Sequence, residues 1–210
     1  MSRSEDLLLE QAETGSWFVY LLLLTDCTAF KVGFTCNPLQ RIYAFHRRYF
    51  EAFDLDQSLL IDVYTCEAAR ELEAELKRML AQNRVAAPSW VAAQAGGITE
   101  WFSAVFFSDA LAHVRQHGAA HTQRLVELRS QMETSLVTHR DQFERWTVSE
   151  LQYIDLLARN SKTNGAARER MQRLGDWMDA YRRFDIPVFA EAPEIRQALR
   201  ELQSSRNFWR

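Results

Sequence analysis

The sequence predicts an α+β fold: a small antiparallel sheet flanked by helices, followed by an all-α C-terminal region. Three observations carry the prediction. Two short apolar runs, 17–24 and 29–34, flank the polar break Thr25-Asp26-Cys27-Thr28, which is the pattern of a β-hairpin. Two later segments, 38–49 and 66–82, space their apolar residues for a helix and lie either side of an alternating run, 58–64. Past Gly118 the spacing is helical. Residues 1–118 are therefore expected to form one domain, and residues 119–210 a helical bundle or arm.

Residues 4–13 have the pattern of a short amphipathic helix ended by Gly15-Ser16. In the hairpin, a break at 25–28 sets Leu24 opposite Ala29, Leu22 opposite Lys31 and Tyr20 opposite Gly33. Alternation then brings Tyr20, Leu22, Lys31 and Gly33 to one face. Tyr20 and Lys31 become diagonal neighbours, about 7–8 Å apart at the backbone, and Gly33 leaves room beside the tyrosine ring. Asn37 suits an N-cap and Pro38 the first helical position, where its missing N–H costs nothing. Leu39, Ile42, Phe45 and Tyr49 form the apolar stripe of that helix. Arg41 lies beside the stripe, one turn in, where an anion is favoured by the helix dipole and the free backbone N–H groups. No acidic residue occurs from Cys27 to Phe50, while Lys31, Arg41, Arg47 and Arg48 do. The pattern is compatible with an anion site, but taken in isolation it fits a solvated basic helix edge better.

Ser58–Tyr64 reads as a third strand, and Thr65 caps a helix reaching about Gln82. Ala69, Leu72, Leu76, Met79 and Leu80 make the stripe of that helix. At about 100° per residue, Glu73 falls roughly 65° from the stripe centre, nearer the buried side than Glu71 or Glu75. Residues 84–98 read as an irregular loop with Pro88 and Gly96-Gly97, residues 100–107 as a last strand, and a helix from about Asp109 packs through Leu111 and Val114.

In the C-terminal region Leu125, Leu128, Met132, Leu136 and Phe143 keep helical spacing, and Thr147-Val148-Ser149-Glu150 has capping-box form. Leu151, Ile154, Leu157 and Ala158 continue as a second segment that Asn164-Gly165 breaks. Met171, Leu174, Trp177, Met178 and Tyr181 make a third, and Pro193 starts a last helix. His113, His117 and His121 recur at a spacing known from zinc sites, but without an acidic partner motif and with Gly118 between them they fit a solvated or capping role better.

The net charge of −3 hides a split: residues 1–118 carry 10 basic and 15 acidic side chains, and residues 119–210 carry 15 basic and 13 acidic. An acidic N-terminal half does not suit tight non-specific DNA binding, which phosphate neutralisation supplies. Any nucleic-acid affinity must come from the local charge at 31–48 or from the C-terminal half, whose basic residues are arginines except for Lys162. The cysteines, Cys27, Cys36 and Cys66, are odd in number and lack a C-x-x-C spacing, which argues for packing roles in a reducing compartment. The acidic N-terminus does not read as a signal peptide, and Leu21–Leu24 is too short to span a bilayer. A cytoplasmic protein is expected.

Four motifs in order carry a family resemblance. They are Phe18-Val19-Tyr20; Phe30-Lys31-Val32-Gly33-Phe34-Thr35 with Arg41 beyond it; Glu73-Ala74-Glu75-Leu76-Lys77; and Glu100-Trp101-Phe102. Together, over residues 16–107, they resemble the GIY-YIG nuclease superfamily, most of all its phage-type branch with a Y-K-I-G second motif and a closing E-W-F. The chain departs from the pattern in having Phe-Val-Tyr for Gly-Ile-Tyr, Lys31 at the second tyrosine position, and Lys77 where a histidine often follows the helix leucine.

The resemblance implies a GIY-YIG-like fold for residues 1–118 and a metal-dependent endonuclease that hydrolyses DNA phosphodiester bonds. Tyr20 would act as general base on, or orient, the attacking water. Lys31 would lower the tyrosine pKa or assist the proton transfer. Arg41 would stabilise charge on the phosphate. Glu73 would hold one divalent cation, magnesium or manganese. His46, Arg47 and Arg48 are candidates for contacts to the DNA backbone, Asn83 is a weaker candidate, and Glu100 is either a site residue or a strand-end carboxylate. Two rivals stand beside this reading: a nucleic-acid-binding module without catalysis, and an interaction protein that uses its helical half, with a homo-oligomer or a protein partner on those helices.

Overall fold

The computed structural model describes residues 16–91, 98–117, 122–158 and 164–190, together with Ala192, Ile195 and Gln197. The expected N-terminal helix over 4–13, most of the last helix from Pro193, Gly118 and His121 lie outside these residues. The chain divides into two compact units, one holding the described residues up to Thr134 and the other those from Ser135 on.

The first unit is built on a five-stranded antiparallel sheet of order β4-β2-β1-β3-β5. Its strands are β1 (Trp17–Leu23), β2 (Ala29–Thr35), β3 (Leu59–Val63), β4 (Trp101–Ser103) and β5 (Thr122–Glu127). The hairpin has the expected register, with Leu22 opposite Lys31 and Tyr20 opposite Gly33. The turn closes with the Leu24 N–H donating to the Ala29 carbonyl at 3.0 Å. Helix α1 (Pro38–Phe45) starts as the sequence predicts, the Asn37 side chain accepting from the Gln40 N–H with Pro38 just inside. A short α2 (Tyr49–Ala52) follows. Helix α3 (Cys66–Met79) is capped by Thr65, whose hydroxyl accepts from the Ala68 N–H.

The sheet is covered on both faces, which is why β1 reads as an unbroken apolar run. On one face Val19, Leu21, Phe30, Val32, Ile61 and Phe102 pack with Ala69, Leu72 and Leu76 of α3 and with Ala110 and Val114 of α4 (Phe107–His117). On the other face the Tyr20 ring meets Phe45 of α1 edge-on at 6.2 Å, Phe45 meets Phe53, and Phe53 stacks on Trp101 at 6.4 Å. Candidate site residues Tyr20 and Lys31 belong to this second face.

Some expectations are corrected. The strand expected over 100–107 spans only Trp101–Ser103; a 3₁₀ turn then leads into α4 at Phe107. Met79 is 38% exposed, so the α3 stripe is Ala68, Ala69, Leu72 and Leu76, with Leu80 just beyond the helix. The region read as helical from 119 opens with β5, which pairs with β3 and extends the sheet past the expected boundary. β5 is an edge strand with little buried apolar surface, Leu125 being 38% exposed, so side-chain periodicity carries no strand signal there. Its place is set by backbone pairing to β3 and by Arg124 opposite the buried Asp62, 3.8 Å away. Cys27 and Cys36 are exposed rather than packed, while Cys66 is half-buried; all three are free thiols.

Among the described residues the second unit's regular structure is all helical, as expected for the C-terminal region beyond β5. It contains the later part of α5 (Leu128–Ala158) and α6 (Asn164–Arg183). Phe143 stacks on Tyr181 at 4.6 Å, and the Tyr181 hydroxyl donates to the Leu136 carbonyl. Thr147–Glu150 is not a helix start: α5 runs straight through it, Thr147 is buried, and the Glu150 carboxylate accepts two hydrogen bonds from Arg170 on α6 at 2.8 and 2.9 Å. Tertiary pairing has taken the glutamate that a capping box would use. Asn164-Gly165 begins α6, and α5 ends before it at Ala158, so the expected separation of the two segments stands. Among the described residues no helix is long and apolar enough to cross a membrane.

Candidate functional site

Tyr20 sits in mid-strand on β1 and is 1% exposed. Its ring lies directly over Gly33 on β2: a Cβ at Gly33 would overlap the phenol oxygen and Cζ and come within 2.7 Å of Cε2. The room that glycine leaves is thus filled by the tyrosine itself rather than kept open for a ligand. The phenol oxygen accepts a hydrogen bond from Arg41 Nε at 3.3 Å. Arg41 reaches it from the first turn of α1, its guanidinium carbon 4.5 Å from the centre of the Phe45 ring. Burial pushes the Tyr20 pKa up, as do the charges of Glu73 and Glu100; Arg41 opposes them without cancelling the rise.

Lys31 is 1% exposed, with its Nζ 3.2 Å from Glu100 Oε2 and 5.6 Å from the centres of both the Phe45 and Trp101 rings. Burial lowers its pKa to about 8, against the pull of the Glu100 carboxylate. Glu100 stands just before β4, where its carbonyl accepts from the Val32 N–H at 3.2 Å. Its carboxylate takes the Thr99 hydroxyl at 2.7 Å and Lys31, and lies 3.9 Å from Lys77 Nζ. Burial acts to raise the Glu100 pKa, but Thr99, Lys31 and Lys77 together hold it below the usual carboxylate value. Glu73, on α3, accepts from Lys77 Nζ at 3.0 Å, and its side chain is 15% exposed.

Tyr20, Lys31, Arg41 and Glu73 therefore come together from four elements into one electrostatically linked cluster. Glu100, left undecided by sequence, is at its centre, and Lys77 joins it. Two expectations change in detail. The phenol hydrogen-bonds Arg41 and the ammonium bonds Glu100, so the Tyr20 and Lys31 side chains are not each other's partners. Nor is the Tyr20 pKa lowered. His46 and Arg48 make contacts of their own. Arg48 makes two hydrogen bonds to Glu51, at 2.5 and 2.7 Å, and covers Phe50. The His46 ring meets Trp90 at 5.1 Å. Arg47 is half-buried and makes no ion pair among the described residues. Asn83 lies in a 3₁₀ turn after α3, its N–H donating to the Leu80 carbonyl. His113 pairs with Glu75 at 2.9 Å. An open cleft at the hairpin turn, lined by Leu24, Asp26, Thr28, Pro88 and Trp90, contains none of the cluster.

The residues as arranged do not fit a divalent cation. The two carboxylates that would hold one, Glu73 and Glu100, both face Lys77 Nζ. A magnesium ion needs ligand oxygens at about 2.0–2.1 Å and a shell of waters, which cannot share that space with an ammonium. Among the described residues no group of three or more His, Cys, Asp or Glu side chains gathers to hold a metal. What the cluster holds is a guanidinium on a buried phenol, and two ammoniums paired with two carboxylates. Comparison of the chain with protein-family models, with curated proteins and with solved structures gave no match.

Proposed function

We propose that this cluster binds and hydrolyses a phosphodiester of DNA. The observation that supports it is the Arg41–Tyr20 hydrogen bond beside the buried Lys31. A phosphate-binding fork, a phenol and an amine of depressed pKa are brought together from α1, β1 and β2. A fold needs none of these in its interior, and buried polar groups are costly unless partnered. Arg41 takes the non-bridging phosphate oxygens and stabilises the charge that gathers on them in the transition state. Tyr20, its pKa raised, stays protonated at rest and orients the attacking water. Lys31, ion-paired to Glu100 and with a pKa of about 8, rests as an ammonium near neutral pH and accepts the proton only in the fraction of molecules where it has lost its own.

Cleavage of a labelled DNA duplex and of a single strand tests this reading, with Tyr20→Phe and Arg41→Ala as partners to the wild type. The expected result is cleavage by the wild type and its loss in both variants at unchanged fold content. A binding module without catalysis is the second reading. It is favoured by the 1% exposure of Tyr20, and DNA retention without cleavage selects it.

A further inference from the structure

An ion pair four residues apart along a helix, glutamate first, is ordinary on a protein surface. The pair Glu73–Lys77 differs in two respects. The Glu73 side chain is only 15% exposed, and the same Lys77 nitrogen lies 3.9 Å from Glu100, which belongs to a different element. The charges then alternate in an unbroken row: Lys31, Glu100, Lys77, Glu73, with contacts of 3.2, 3.9 and 3.0 Å. Each carboxylate is already matched by an ammonium, and Arg41 stands beside the row. A divalent ion added there would meet three cations. Residue choice points the same way. The chain has only three lysines, Lys31, Lys77 and Lys162, among 25 basic residues, and two of them are in this cluster. An ammonium is a compact point charge, the side-chain group closest in shape to a small cation, whereas a guanidinium is a broad plane.

We propose that Lys77 is the resident cation of this site. Its ammonium occupies the position between Glu73 and Glu100 that a divalent metal ion would otherwise take, so the native chain binds no such metal there. Resting on the nuclease reading, the inference adds that the phosphodiester chemistry proceeds without a divalent ion, the fixed ammonium supplying positive charge beside Arg41.

Manganese binding to the 210-residue chain, followed by electron paramagnetic resonance, tests the inference without needing any activity. The wild type should bind no manganese at this site. Lys77→Met and Lys77→Gln should uncover the two carboxylates and gain binding at least tenfold tighter than wild type, and adding Glu73→Gln to either should remove the gain. Both variants are checked for native circular dichroism, and the two differ in polarity, so a folding defect in one leaves the other to decide. The inference is overturned if the wild type binds manganese as tightly as the Lys77 variants and loses it in Glu73→Gln, or if folded Lys77 variants gain nothing. Cleavage in chelator separates the two levels. Wild-type cleavage that needs added magnesium keeps the nuclease reading and overturns the resident ammonium. No cleavage under any condition, with the manganese pattern as expected, ends the nuclease reading alone.

Discussion

Gly33→Ala is the most direct probe of the site's architecture. The backbone at Gly33 lies in ordinary strand conformation, so alanine costs nothing there in dihedral terms. What it adds is a methyl group where the Tyr20 phenol already is, overlapping Oη and Cζ and only 2.7 Å from Cε2. The ring cannot simply swing away, because Phe45 meets it at 6.2 Å and Arg41 holds its oxygen. Forcing a methyl into a packed core costs about 1–3 kcal/mol, and losing a charged hydrogen bond to a buried hydroxyl adds about 1 kcal/mol or more. The sum is about 2–4 kcal/mol. The same substitution in a Tyr20→Ala background meets empty space, and there replacing a strand glycine is expected to stabilise by about 0.5–1 kcal/mol. A double-mutant cycle by urea unfolding should therefore show a coupling of about 2.5–5 kcal/mol between positions 20 and 33, the cost in the wild type plus the gain in the Tyr20→Ala background. A coupling near zero would refute the placement of the tyrosine ring over the glycine, and with it the geometry of the whole cluster.

Other expectations follow from the same contacts. Arg41→Ala should reduce cleavage at least tenfold, about 1.4 kcal/mol of transition-state stabilisation, while costing the fold only about 1 kcal/mol for the bond to Tyr20; a large loss of stability with cleavage intact would make Arg41 a structural residue. Lys31 has a folded pKa of about 8 against 10.5 when exposed. Between those values the unfolded chain holds more protons than the folded one, so Lys31 makes stability rise with pH across that window. Urea melts should show that slope in the wild type and its loss in Lys31→Met; the same slope in both would place the lysine in water. In the second unit, Glu150→Gln should destabilise by about 2 kcal/mol, less than the full penalty for breaking a buried pair because Arg170 is 24% exposed. A thermal melt unchanged by that substitution would mean the pair adds nothing.

Much of the sheet was legible because its signals are local. The hairpin register follows from a four-residue turn and a period of two, and Asn37-Pro38 and Thr65 mark helix starts by their own chemistry. Tyr20, Lys31, Arg41 and Glu73 were legible as a set through motif spacing. The roles of Glu100 and Lys77 were not, because each is defined by a partner on another element: Glu100 by Lys31 across two strands, Lys77 by Glu100 across the gap between α3 and β4. β5 gave no signal for the reason that makes it an edge strand: it buries few side chains and is held by its backbone. Thr147–Glu150 carried a real local signal that Arg170 overrode.

The pairing of β3 with β5 also has a consequence for how the chain comes off the ribosome. Leu59 pairs with Glu127 and Val63 with Thr122, and α3, β4 and α4 are synthesised in between. At about 5–20 residues per second, roughly 60 residues take ~3–12 s. For that interval the nascent sheet has an open edge at β3, a template for pairing with another chain. Asp62 stands on that edge, next to the last residue of β3. In the folded protein it is buried and its pKa is raised by that burial, with Arg124 on β5 only partly offsetting it. During synthesis the same carboxylate is hydrated and charged, and a charge on an open strand discourages a second chain from docking. The carboxylate that the finished sheet buries at a cost thus guards the unfinished one, and a chain cut at Gly118 would keep the guarded edge but never close it.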